Sequence, residues 1–291
     1  MIGLAALAAC GGGSADRLEI PDSPDGTVRV ILQGLAQHRP EVLWRAMPEA
    51  YQLDVQRLSV EFADSVDPAL FERMVAVTRK GVLVLQSKKE LVLSSEAIRQ
   101  SSADVEQLDA LWEGYVHLLD TILASDLSRL DGIRNLDVDA FLESTGSSLM
   151  AQLSLLTGPG QGTDTPAALL ADLEASEVML IDGEGDRATV RITPPKRSPI
   201  DVTMVRVDGR WVPVELASQW SETVAAIETR IGALKGDQAA EIKMRALFAL
   251  GMAEGLIDQL AEVDTPQDVD DLVGGFVGNM FASQVAAAQR S

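Results

Sequence analysis

Cysteine occurs once in the 291 residues and histidine twice. A single thiol excludes an internal disulfide framework and a thiolate-rich zinc site, and two imidazoles leave little for histidine chemistry. Cations are also short. Lys+Arg number 24 against 44 Asp+Glu, a formal net charge of −20 and a pI near 4.4. That balance argues against nucleic acid as a partner, because phosphate binding needs clustered Lys and Arg. It argues equally against a surface held to anionic lipid by electrostatics alone. The chain has neither a G-x-S-x-G nucleophile elbow nor an H-E-x-x-H pair. Gly158-Pro159-Gly160-Gln161-Gly162 lacks the Lys-Ser/Thr of a phosphate loop and follows no strand, so it reads as a plain loop. What is present is an ordinary globular mixture, 46% hydrophobic and 23% charged, able to bury a sizeable core. The length suits one large domain or two small ones.

The first ten residues, Met1-Ile2-Gly3-Leu4-Ala5-Ala6-Leu7-Ala8-Ala9-Cys10, are apolar, small and uncharged. They read as the end of a secretory h-region running into a small-residue cleavage site. Leu7-Ala8-Ala9-Cys10 resembles the lipobox of bacterial lipoproteins. Small residues before the cysteine let a peptidase approach the backbone, and the thiol is the nucleophile that accepts the lipid. The resemblance implies that residues 1–9 are a signal-peptide remnant and that Cys10 is lipidated. The protein would then stand in the bacterial cell envelope on a membrane anchor, facing the periplasm or the surface. Gly11 rather than Asp after the cysteine implies outer-membrane sorting. Gly11-Gly12-Gly13-Ser14 opens a tether over residues 10–22.

Ser23-Pro24 looks like a helix N-cap followed by proline at the first helical position. Val28, Ile31, Leu32 and Leu35 then recur at helical spacing to about His38-Arg39-Pro40. A short helix holds Val42, Leu43 and Trp44, and Tyr51, Val55, Leu58, Phe62 and Val66 mark a third. Asp67-Pro68 opens a fourth. Ser102 to Ser125 is the clearest amphipathic stretch, Asp137 to Leu156 reads as one further helix, and Thr165-Pro166 starts a short one. The period then changes from 3.6 to 2. Val178–Ile181, Ala188–Thr193, Val202–Val207 and Trp211–Val214 predict four strands, with a turn over 182–186 and an Asp208-Gly209 hairpin. From about Ser218 the pattern is helical again. The expectation is an α+β protein, mostly helical, with a late antiparallel meander at about 176–216 in a domain spanning 23–217, and a helical extension over 218–291 packed on it.

Two stretches carry a second resemblance. Glu41–Val55 (EVLWRAMPEAYQLDV) and the strands DRATVRITPP and DVTMVRVDGRWVPVE are similar to NTF2-like, cystatin-like bacterial lipoproteins of unassigned function. In that family a curved antiparallel sheet wraps helices into a cone, closed by a hairpin that Asp208, Gly209 and Trp211 match here. The likeness covers residues 24–60 and 176–216. It implies either a non-catalytic binding or scaffolding module or, alternatively, a small-molecule binder or enzyme with its ligand in the cone.

Few residues invite chemistry. His117 with Asp120 or Asp109 is the one local acid–imidazole combination, and it reads as a helix-border histidine. His38 sits at a helix end. Asp182-x-Glu184-x-Asp186 alternates acids as a calcium loop does but lacks the rest of that pattern, and reads as a hairpin turn. Asp264, Asp268, Asp270 and Asp271 read as a helix N-terminus. Trp44, Trp112, Trp211 and Trp220 are expected in or at the rim of the core. Leu272 to Gln289 is uncharged, and Gly274, Gly278, Ala282 and Ala286 repeat every four residues. That stripe suggests close helix packing or an assembly contact. Asn279, Ser283, Gln284 and Gln289 interrupt it, so no second membrane span is expected. Neither a cofactor nor a catalytic centre is expected.

Overall fold

A computed structural model describes residues 19–100, 105–156 and 165–275. Cys10, the 157–163 loop, and Gly278, Ala282 and Ala286 lie outside the described residues. The described chain is mostly helical with one four-stranded antiparallel sheet, an α+β arrangement.

The N-terminal helices are α1 (Pro24–Ala36), α2 (Glu41–Ala46), α3 (Glu49–Ser65) and α4 (Pro68–Ser94). Short polar residues start α1 and α4 as the sequence suggests, whereas α2 and α3 start from Pro40 and Pro48. Ser23 Oγ accepts from Gly26 N at 3.1 Å, and Asp67 Oδ1 accepts from Leu70 N at 2.9 Å, each with proline at the next position. α1 ends in a Schellman motif. Arg39 N donates to Gly34 O at 2.8 Å and His38 N to Leu35 O at 3.0 Å, with His38 at φ +57° where glycine is usual. The corner lets α2 fold back on α1 so tightly that a Cβ on Gly34 would lie 2.7 Å from Val42 Cγ2.

α5 (Glu96–Gln100), α6 (Val105–Ala124), α7 (Leu130–Arg134), α8 (Val138–Phe141), α9 (Ser147–Leu155) and α10 (Pro166–Glu174) follow. The helix expected from Asp137 to Leu156 contains a π-helical turn at Leu142–Gly146 between α8 and α9. Gly146 sits against Pro40, where a Cβ would be 3.2 Å from the ring.

β1 (Glu177–Glu184), β2 (Arg187–Thr193), β3 (Ile200–Val207) and β4 (Arg210–Pro213) pair in sequence order. The turn expected over 182–186 is only Gly185-Asp186, with Gly185 at φ +58°. Asp182 and Glu184 belong to β1, whose register shifts between Leu180 and Asp182. Asp208 (φ 48°) and Gly209 (φ 76°) form the two-residue hairpin, both left-handed as such a turn requires. On the outer face Arg191 forks onto Asp201 directly across the ladder at 2.7 Å for both bonds, and the same face carries the exposed Met179 and the buried Val212. The inner face carries Val178, Ala188, Val190, Met204 and Trp211, which bury with Val28 of α1. Trp211 is 7% exposed, so its indole packs against a helix as expected.

α11 (Val214–Ala233) starts directly from β4, so the boundary expected at 217/218 falls inside a helix. It packs on α3 through Leu58, Val224 and Ile231, with Trp220 stacked on Tyr51 at 4.1 Å between ring centroids. α12 (Ala239–Glu262) lies along α4 and has no buried residue. Arg73–Glu254, Lys80–Asp258 and Lys243–Asp67 ion pairs hold it there, with Ile257 against Gly81. A last helical stretch covers 266–275, and among the described residues nothing lies within 4 Å of a Cβ built on Gly274. No described helix is long and apolar enough to cross a membrane.

Candidate functional site

The inner face of the sheet is only partly filled. Val28, Ile31 and Leu32 of α1 form one wall of a cavity of about 270 Å³. Leu43, Ala46 and the adjoining Met47 form the second wall, on the α2 side. Ile192, Val202, Met204 and Trp211 form the floor, and Leu216 of α11 closes one end. No Asp, Glu, His, Lys or Arg lines it. The floor is fixed, with Met204 1% exposed, whereas Leu43 at 40% is open to solvent. Trp211 is pinned at its edge, since Nε1 donates to Asp22 O at 3.1 Å and the Arg206 guanidinium lies 5.8 Å from the ring. Arg206 also pairs with the Asp22 carboxylate. Thr27, 1% exposed, donates its hydroxyl to Pro21 O at 2.9 Å. The sheet and α1 therefore grip the end of the expected tether.

An ion cluster sets the position of the α2 wall from behind. Arg45 binds Asp139 at both ends, Nε to Oδ1 at 2.7 Å and Nη2 to Oδ2 at 2.9 Å, and Nη2 reaches Glu143 at 3.0 Å. The hydrogen bond to Asp139 holds this guanidinium above its usual pKa against the opposing effect of burial. Glu41 is 1% exposed and takes Arg39 Nε at 2.9 Å. Glu41 Oε2 and Arg45 Nη1 have no hydrogen-bond partner among the described residues. Burying Glu41 and most of Arg45 costs solvation that pairing with the more exposed Arg39, Asp139 and Glu143 must offset. The geometric result is a defined seat for α2 on α8 and the π turn, with Leu43, Ala46 and Met47 along the cavity. Nothing in the sequence reading singled this cluster out. Its members are close in sequence only in two groups, 39–45 and 139–143.

Of the residues that invited chemistry, only His117 and Asp120 share a surface pocket among the described residues, one lined also by Gln86, Lys89 and Glu113. His117 is exposed on α6, and α4 engages both of its candidate acids. Lys89 pairs with Asp109 at 2.9 Å, and Gln86 donates to Asp120 at 2.8 Å. His38 Nε2 lies 3.2 Å from Ser154 Oγ, a contact that ties the α1 corner to α9. Asp268 forms a capping box, accepting from Thr265 N at 2.9 Å while its own N donates to Thr265 Oγ1 at 3.3 Å. Donation from the Thr265 hydroxyl at 2.8 Å, then from the Thr265 and Asp264 N–H groups, holds its carboxyl below the usual aspartate range. Asp270 accepts from Ala97 N at 2.7 Å and Glu96 N at 3.2 Å, and so caps α5 from across the fold. Among the described residues no group of three or more His, Cys, Asp or Glu is placed to hold a metal. Trp44 is buried. Trp112 is half-buried and donates to Leu85 O at 3.2 Å, and Trp220 donates to Asp54 at 2.9 Å. No family model matches the chain, and neither a curated protein nor a solved structure shows significant similarity to it.

Proposed function

We propose that the protein is a lipid-anchored, non-catalytic binding module of the bacterial cell envelope. The observation that carries the binding half is the cavity between α1, α2 and the sheet. Its walls are hydrocarbon, and no acid, base or nucleophile converges on it. Such a site can select by shape and burial, and it offers nothing for proton transfer or covalent chemistry. The anchored half rests on Leu7-Ala8-Ala9-Cys10 and the Gly/Ser run behind it. The NTF2-like likeness belongs to the same reading. A meander ending in Asp208-Gly209-x-Trp211, with α1 and α2 against its inner face, supports it. The test expresses the chain behind a complete lipoprotein leader in a bacterial host fed labelled fatty acid. Label should appear in the protein, the protein should partition into detergent, and Cys10→Ser should abolish both. Equal labelling of the two forms would sink the anchor.

A second reading, an assembly subunit working through its C-terminal helices, is favoured by one feature. Met244, Phe248 and Met252 are 65%, 70% and 50% exposed at four-residue intervals along α12, a contiguous apolar stripe on a helix that buries no residue.

A further inference from the structure

We infer that the cavity takes one saturated acyl chain, methyl end first, from a single-chain lipid whose headgroup remains in solvent. The inference rests on the anchored-binding reading and names its ligand. The lining decides the chemistry. A ligand with a hydroxyl or carbonyl inside the cavity would have no partner there and would lose its hydration without compensation. An aromatic ligand would find one ring, Trp211, already engaged by Arg206 and by the Val28–Met204 core. A hydrocarbon chain meets neither obstacle, and the thioethers of Met47 and Met204 adapt to a flexible guest. A cavity of about 270 Å³ is small for a ligand site, which favours a single chain over the two tails of a diacyl lipid.

The supply also fits. Ten residues and eleven Cα–Cα steps separate Cys10 from the gripped Pro21, so the contour cannot exceed about 40 Å. An anchor at Cys10 thus keeps α1 and its cavity within about one bilayer thickness of a membrane surface. The net charge of −20 repels an anionic head at low salt, which favours a zwitterionic lysophospholipid over a fatty acid.

The experiment uses the full chain carrying Cys10→Ser, titrated with a homologous series of saturated lysophosphatidylcholines below their micelle concentrations. Fatty acids of the same lengths form the second arm. Affinity should rise about threefold to fourfold per methylene at the short end and then level off once the cavity is filled. At low salt the fatty acids should bind more weakly than the lysolipids, and added salt should close the gap. Leu43→Glu places a carboxylate at the open mouth on a side chain 40% exposed, so the fold should survive while affinity falls about tenfold or more. Val202→Phe fills the floor and should shorten the chain length at which affinity levels off. Absence of binding across both series, affinity independent of chain length, or wild-type binding by both variants would each overturn the assignment. A Cys10 that takes no lipid, with chain-length-dependent binding intact, would instead remove the anchored reading and leave the cavity's ligand standing.

Discussion

Trp211→Ala removes the largest side chain on the inner face of the sheet, and the structure sets the size of the effect. The indole is 7% exposed, packed with Val28, Val178, Val190 and Met204. Burying a tryptophan removes roughly 150–250 Å² from water, which at about 25 cal/mol per Å² is an upper bound of about 4–6 kcal/mol. Alanine keeps a small part of that burial. The space left behind opens into a cavity already there, so relaxation can recover little. The expected loss is about 3–5 kcal/mol, read as a lower urea midpoint by far-ultraviolet circular dichroism. Trp211→Phe keeps most of the packing but loses the donor to Asp22 O, and should cost about 1–2 kcal/mol. It should also speed amide exchange around residues 21–27, where that bond and the Thr27–Pro21 bond hold the chain. A loss below about 0.5 kcal/mol for the alanine variant would mean that the ring is not buried. The inner-face packing and the cavity floor would then both be wrong.

Two other expectations test separate parts of the fold. His38→Gly relieves a left-handed residue but loses the contact with Ser154, whereas His38→Ala loses that contact and keeps the strain. The glycine variant should therefore be the more stable of the two by about 1 kcal/mol in paired urea curves, and an alanine variant equal to or above it would refute the Schellman assignment. Phe248→Glu should leave monomer stability within about 0.5 kcal/mol, because the ring is 70% exposed, and should dissolve any oligomer built on α12. Light scattering that finds the wild-type chain monomeric at every concentration would remove the assembly reading.

The elements were legible where local chemistry and tertiary packing agree. Ser23-Pro24, Asp67-Pro68 and Thr165-Pro166 each mark a helix start, and each side-chain oxygen accepts the expected backbone N–H. The period-2 stretch at Ala188–Thr193 and the Asp208-Gly209 turn located the sheet. Misplaced boundaries have identifiable causes. Asp182-Gly183-Glu184 is turn-like in composition, yet β1 runs through it because Asp182 and Gly183 pair with Thr189 and Ala188. Val214 reads equally as strand or helix, and Pro213 before it ends the ladder, so α11 starts early. The π turn left no mark because it changes hydrogen bonding without changing the apolar rhythm.

The site was the least legible part, and the reason is physical. Periodicity identifies which face of an element turns inward. It carries no information on whether the opposing faces meet closely enough to fill the space between them. Ile31, Leu32, Ile192 and Val202 are the residue types that any closed core would use. Leu32, Ile192 and Val202 pack against the inner-face core, and the cavity beside them is bounded by α2, which Arg45 ties across nearly a hundred residues of chain to Asp139 and Glu143 and which Gly34 admits through Val42 at the α1 corner. The polar cluster, which nothing in the sequence singled out, thus seats one wall of the cavity. The grip on Pro21 and Asp22 by Thr27, Trp211 and Arg206 brings the end of the expected tether to the same sheet. An N-terminal anchor would thus be coupled to the cavity on two sides, through Thr27 on α1 and through Trp211 on the sheet.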